Sequence, residues 1–351
     1  MKELSTRTKL AAAGLAAGVI AVILAMTGNP ANMAICVACF IRDTAGAMKF
    51  HTAAVVQYAR PEIVGIIIGA FLISIMTKEY RSSAGSSPMI RFLLGMAIMI
   101  GSLIFLGCPL RMVIRMSAGD LNAYVALIGF TLGVASGTAA LKKGFSLGRA
   151  YETKAVSGMV LPAVMAVILI LSVGTGLFAV SEKGPGSMHA PVLIALGGGL
   201  VFGALAQKSR MCFAGSIRDV ILMKNFDLLS VIGGLFVVML VYNLISGNFN
   251  LSFAGQPVAH AEHFWNAAGM YVVGFAAVLA GGCPLRQLFL AGQGSSDAAV
   301  TFLGLFVGAA LCHNFGLAAS GDGTTLNGRI ACIICIIVVF GIAVAGCRKK
   351  N

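Results

Sequence analysis

Ten runs of apolar residues, each close to the length of a bilayer crossing, restrict this chain to one architecture. They fall at about 9–27, 61–77, 90–107, 121–140, 157–180, 191–208, 228–246, 263–282, 297–318 and 329–347. A helix needs about 20 predominantly apolar residues to cross the hydrocarbon core. In lipid, backbone groups are satisfied only within a helix or around a closed barrel, and the barrel alternation of apolar and polar residues is missing here. Only 11% of the residues are charged and 58% are hydrophobic. Soluble domains carry about 25% charged residues, so too little polar surface exists to cover a water-exposed globule. The fold class is therefore an all-α polytopic membrane protein with about ten transmembrane helices.

Charge fixes the expected orientation. The net charge is +13, which in a soluble protein suggests nucleic acid. Here no zinc-finger spacing, basic recognition helix or aromatic platform accompanies it, and the cations sit in short loops. With the N-terminus in the cytoplasm, the inner segments hold Lys2, Arg7 and Lys9, then Lys78, Arg81 and Arg91, then Lys142, Lys143, Arg149 and Lys154, and finally Arg348, Lys349 and Lys350. The ordinary outer loops hold Lys183 and Arg329, and 247–262 has neither Lys nor Arg. Both termini are expected in the cytoplasm, in a cell inner membrane. Residues 1–26 look like a signal peptide at first sight, but the apolar run is long for one and reads as a retained first span.

Four stretches are too short or too polar to cross: 31–45, 108–118, 209–224 and 283–294. The amphipathic piece 46–59 is also left over. Two of these stretches repeat the other two. Cys36-Val-Ala-Cys-Phe-Ile-Arg-Asp43 matches Cys212-Phe-Ala-Gly-Ser-Ile-Arg-Asp219, and Gly107-Cys-Pro-Leu-Arg111 matches Gly282-Cys-Pro-Leu-Arg286. A Gly follows each of the latter arginines by eight residues (Gly119, Gly294), and the next span repeats Gly129 and Gly133 as Gly304 and Gly308. The offsets, 176 and 175 residues, agree. Four spans in each copy, with one extra span between, invert the second copy relative to the first. Inverted repeats with broken segments at the midplane mark transporters. The expected organisation is a first membrane repeat (1–140), a linker with one transmembrane helix (141–190), a second repeat (191–320), and a C-terminal helix with a basic tail (321–351). The four short stretches read as re-entrant half helices. The first copy places its motifs towards the outside and the second towards the cytoplasm, giving two funnels back to back.

Gly-Cys-Pro-Leu-Arg has a physical logic. Pro suits the first turn of a helix, where a missing N–H is harmless. The preceding Cys then occupies the cap, facing unpaired backbone N–H groups and the positive end of the dipole. The result is an anion site with a thiol at its mouth. Arg111 and Arg286 add full positive charge, and Gly107 and Gly282 admit a close neighbour. The plain alternative is that these cysteines are small buried hydrophobes. Repetition beside Pro and Arg favours function for Cys108 and Cys283, and repetition favours it for Cys36 and Cys212. Cys39 completes a Cys-x-x-Cys that the second copy lacks, Gly215 standing in its place. Cys312, Cys332, Cys335 and Cys347 read as packing.

Arg42–Asp43 and Arg218–Asp219 read equally as local ion pairs or as direct anion contacts. Arg115 has no counterpart and extends the outer attraction for anions. His313 and Asn314 read as a hydrogen-bonded packing pair, and Asp120 and Asp297 as caps of the spans that follow. No paired carboxylates for proton relay, no phosphate-binding loop and no metal-ligand spacing stand out, so no catalytic residue, metal or cofactor is expected.

The two motif pairs resemble those of the YeeE/YedE family of sulfur-transport membrane proteins, and most of all its YedE branch linked to selenium metabolism. The resemblance covers roughly residues 10–320. It implies an hourglass-shaped helical protein that takes up thiosulfate. Its pathway cysteines pass the anion along by S–H hydrogen bonding, at the positions matching Cys36, Cys108, Cys212 and Cys283. This chain departs from a minimal thiosulfate carrier in having Cys in both copies of both motifs, together with Cys39. The expected partners are a small inorganic sulfur or selenium anion, the lipid bilayer, and a cytoplasmic thiol or sulfur-carrier protein. The leading reading is an importer of a selenium or sulfur anion rather than an enzyme. Its rivals are a thiosulfate importer, a membrane thiol oxidoreductase or sulfur transferase using Cys36 and Cys39, and a scaffold for a soluble sulfur carrier.

Overall fold

The computed structural model describes residues 5–30 and 32–347. Lys2 and the tail cations Arg348, Lys349 and Lys350, used above for orientation, lie outside the described residues. The chain forms fourteen helices among the described residues: α1 (Thr6–Met26), α2 (Val37–Ala47), α3 (Pro61–Met76), α4 (Pro88–Phe105), α5 (Pro109–Ser117), α6 (Leu121–Lys142), α7 (Ala155–Gly174), α8 (Val192–Ser209), α9 (Phe213–Met223), α10 (Asp227–Ile245), α11 (His263–Leu279), α12 (Pro284–Gly292), α13 (Ser296–Asn314) and α14 (Leu326–Gly346). The only ladder among these residues pairs β1 (Ser83–Ala84) with β2 (Tyr151–Glu152). The protein is thus an all-α polytopic membrane protein.

Among the described residues, nine helical stretches are long and apolar enough to cross a membrane. The tenth expected span is α3, at 16 residues the short one. At 1.5 Å per residue it covers about 24 Å, less than a hydrocarbon core of about 30 Å. Arg60, just before α3, is buried in protein, whereas the irregular segment ahead of it is only partly so, with Phe50 and Val55 exposed. The amphipathic piece 46–59 forms no helix beyond Ala47.

The four short stretches are α2, α5, α9 and α12. Each begins on a Cys in extended conformation: Cys36, Cys108, Cys212 and Cys283. Pro109 and Pro284 occupy the first turns of α5 and α12.

Helices of the two motif copies pack crosswise. α1 lies on α10 and α8 on α3, while α4 lies on α13 and α11 on α6, with α4 and α11 meeting at the centre. Small residues make these contacts close. A Cβ at Gly129 would fall 2.0 Å from the Ala267 carbonyl oxygen, and one at Gly304 would fall 2.2 Å from that of Phe92. Without a hydrophobic drive between helices in lipid, such backbone approach supplies the packing energy. α7 and α14 sit at the periphery, with large apolar side chains such as Ile170 and Ile337 exposed.

Contacts between loops sort them onto two faces. On the first, Asn32 reaches the Pro257 carbonyl, Arg60 reaches Pro185 and Met188, and Asn314 reaches Phe50. On the second, Arg81 pairs with Glu152, Arg210 with Glu79, and Ser83 joins Gly294. The C-terminal ends of α2 and α5 belong to the first face and those of α9 and α12 to the second. Their N-terminal cysteines therefore point inwards from opposite sides.

Candidate functional site

The half helices present their N-termini, and with them four thiols, to the interior. α2 packs against α12 and α5 against α9, so each copy's half helices touch those of the other. Cys36 caps α2 by accepting from the Cys39 amide at 3.4 Å, and Cys212 caps α9 by accepting from the Gly215 amide at 3.2 Å. Cys108 and Cys283 make no such cap bond and turn instead towards the neighbouring thiol. The Cys36 and Cys108 sulfurs are 3.9 Å apart, and Cys283 stands beside Cys212. All four are closed off from both faces, with exposures of 0, 1, 2 and 1% for Cys36, Cys108, Cys212 and Cys283. Cys39 joins the first pair, its sulfur 2.8 Å from that of Cys36.

Gly107 and Gly282 explain the spacing of the boxes. A Cβ there would stand 2.9 Å from the Arg111 Cδ or 2.3 Å from the Arg286 Cδ. Each arginine folds back over the start of its own helix through space that only glycine leaves.

Arg111 is fully buried. Its guanidinium donates to the Asn32 side-chain oxygen at 3.0 Å and to the Val258 carbonyl at 3.1 Å, and also to the Leu106 and Asn32 carbonyls. Nη1 lies 3.6 Å from the Cys39 sulfur. Every acceptor is neutral. The three residues that offer carbonyls, Asn32, Leu106 and Val258, all have left-handed backbone, with φ of 51°, 62° and 49°. For branched or bulky residues this is strained, by about 1–3 kcal/mol each, and such strain gathers at functional sites.

The other buried arginines are compensated. Arg42 pairs with Asp43 at 2.7 Å, and Arg60 grips the other oxygen of Asp43 at 2.8 Å. Arg60 also stacks on Phe40, its guanidinium carbon 4.5 Å from the ring centroid. Arg115 pairs with Asp120 at 2.6 Å and is wholly buried, so it extends no attraction beyond the surface, contrary to expectation. Among the described residues, Arg111 is the one fully buried arginine with no carboxylate within ion-pairing distance. Arg286, its half-buried counterpart, also lacks one. It reaches the Arg210 carbonyl at 3.4 Å, while Glu79 is occupied by Lys208 and Arg210.

In the second copy Arg218 pairs with Asp219 at 2.8 Å, partly exposed. Asp120 caps α6 through the Asn122 amide, as expected. Asp297 does not cap α13. Ser295 does, and Asp297 accepts instead from the Gly85 and Ser86 amides. His313 and Asn314 are not a hydrogen-bonded pair: His313 stacks on His51 with centroids 4.6 Å apart, and Asn314 bonds to Phe50. Cys312, Cys332 and Cys335 are buried in the packing of α13 and α14.

Sequence reasoning missed Arg60, Asn32, Val258 and Asn29. Asn29 donates to the Ala34 carbonyl at 2.7 Å and to Glu62 at 2.9 Å, tying down the loop that delivers Cys36. The signal available for Arg60 was its place just before Pro61, on an otherwise cation-poor side.

Residues 208–325 match the sulphur transport family, a stretch that begins before α9 and runs to the start of α14. A thiosulfate transporter, TsuA, of Spirochaeta thermophila is 32% identical over 111 residues, 31% of this chain. The aligned stretch spans about a third of that relative's length, 32%.

Proposed function

We propose, for a chain whose residues 208–325 match the sulphur transport family, an importer of a small sulfur-containing anion, thiosulfate before a selenium species. The named function of its relative supports thiosulfate. Selenium is retained as a competing cargo because its oxyanions share size and charge. The two repeats, 1–140 and 191–320, form the two sides of the path. Both termini face the cytoplasm of a cell inner membrane, by the asymmetry of Lys and Arg between loops.

The observation that carries this reading is the buried, carboxylate-free Arg111 beside three thiols. A buried cation needs a partner, and one held by neutral carbonyls retains most of its field for an incoming anion. Entering from the first face, the anion meets Arg111 and the N-terminal ends of α2 and α5, whose dipoles favour negative charge. The S–H groups of Cys36, Cys39 and Cys108 donate weak hydrogen bonds to its sulfur and oxygen atoms. Cys212 and Cys283 repeat the contact from the other side, and Arg286 draws the anion onward. Burial of all four thiols fits alternating access, in which one side opens at a time around a central site.

Purified protein in vesicles, given labelled thiosulfate, is expected to show saturable entry. Thiosulfate should compete more strongly than selenite, and sulfate least. Saturable entry of selenite unaffected by thiosulfate would move the assignment to selenium. No entry of either would remove it.

A further inference from the structure

One of the differences between the two cap motifs adds a thiol to the first copy. Where the second copy has Gly215, the first has Cys39, three residues after the cap cysteine. The Cys36 and Cys39 sulfurs approach to 2.8 Å. This lies between the 2.05 Å of a disulfide bond and the separation of two unbonded sulfurs. Cys-x-x-Cys at a helix start is a recurrent arrangement for thiol–disulfide exchange. A third thiol, Cys108, stands 3.9 Å from Cys36, and the Arg111 guanidinium is 3.6 Å from Cys39.

We propose that Cys36 and Cys39 are a redox modification site whose reversible disulfide locks the first-copy side of the path. The oxidant is a small peroxide, able to travel where the cargo travels. One thiol sulfur attacks the peroxide oxygen, the O–O bond breaks, a sulfenic acid forms and the first water leaves with the thiol proton. The second thiol then displaces the hydroxyl group, the S–S bond forms and a second water leaves. Two electrons pass from the two thiols to the peroxide. A dithiol reductant restores both S–H groups by exchange and is itself oxidised to its disulfide.

The lock follows from the geometry. A disulfide removes two S–H donors at once and draws Cys36 away from Cys108 and from the Cys39 amide that it caps. Arg111 loses the thiol beside it. The second copy, with Gly215 opposite Cys212, has no equivalent reaction. Control is therefore confined to the side reached from the first face.

The chemistry stands apart from the transport reading, whereas its consequence for uptake rests on it. The test has two readouts. Full-length protein in vesicles is treated with hydrogen peroxide, alkylated, digested and examined by mass spectrometry. A peptide joining Cys36 to Cys39, lighter by two hydrogens and regained in full after dithiothreitol, is expected. Absence of that linkage, or a dominant Cys36–Cys108 linkage, overturns the site. In parallel, thiosulfate entry into peroxide-treated vesicles is expected to fall and to recover on reduction. Each variant is compared with its own untreated rate, so that Cys39→Ala, whatever that rate, loses the response to peroxide. A linkage that forms without any change in wild-type entry overturns the lock. If Cys39→Ala has no entry to measure, wild-type linkage and recovery on reduction decide the matter.

Discussion

The Arg111 guanidinium stands 3.6 Å from the sulfur of Cys39 and is anchored there by neutral oxygens alone. Arg42 and Arg60, by contrast, share the carboxylate of Asp43. The same residue type is thus used in two ways within one half of the protein. One arginine is held by neutral acceptors without a counter-charge, and two share a carboxylate that holds α2 in place.

Removing the Arg111 charge should lower anion entry far more than it lowers stability. Arg111→Ala is expected to reduce the initial rate of thiosulfate uptake at least about tenfold, equivalent to about 1.4 kcal/mol. Arg111→Lys should recover only part of it, because one ammonium cannot span Asn32 and Val258 as a planar fork does. Uptake assays in vesicles with matched protein content check both. Equal rates for wild type and Arg111→Ala would show that the charge serves packing.

Glycine at 107 and 282 makes room for an arginine, not for a turn. Gly107→Ala and Gly282→Ala should leave a folded, membrane-inserted protein, since the obstructing atoms belong to flexible side chains. Each should nevertheless slow uptake by displacing Arg111 or Arg286. A thermal melt close to wild type together with slowed uptake is the expected pair of results. The same melt with full uptake would refute the role given to the arginines.

The two Arg–Asp pairs of the cap motifs should behave differently when broken. Asp43→Ala leaves two buried guanidiniums without a counter-charge and should destabilise the protein by about 3–5 kcal/mol. Asp219→Ala breaks a pair that is partly open to solvent, and it should cost no more than about 1 kcal/mol. Detergent unfolding curves of the two variants, measured side by side, test the contrast.

Much of this arrangement was legible in the sequence, because the bilayer and the repeat both act through local pattern. Apolar length marked the spans. The Cys-Pro pairs marked the starts of α5 and α12, since Pro is tolerated in a first helical turn and a cap must precede it. What remained hidden depends on contacts between distant segments. Val258 gives its carbonyl to an arginine 147 residues away, and no spacing rule records that. Asp43 already has an arginine beside it in sequence, which hides its second partner, Arg60. Asp120 both caps α6 and pairs with Arg115, and only the first of these roles follows from local sequence. Backbone strain at Leu106 and Val258 leaves no trace either, since neither is the glycine or asparagine that such φ values favour. The narrow exception is Gly281, which takes the left-handed turn before Cys283 with φ of 84°.

Labelled thiosulfate entry into vesicles holding Cys283→Ala, set against Cys312→Ala, probes the thiol path most directly. Both residues are buried cysteines of the second half, and only Cys283 stands at the N-terminal position of a half helix. Entry should collapse for Cys283→Ala and stay near wild type for Cys312→Ala. Equal entry in the two would mean that the anion does not pass the cap thiols.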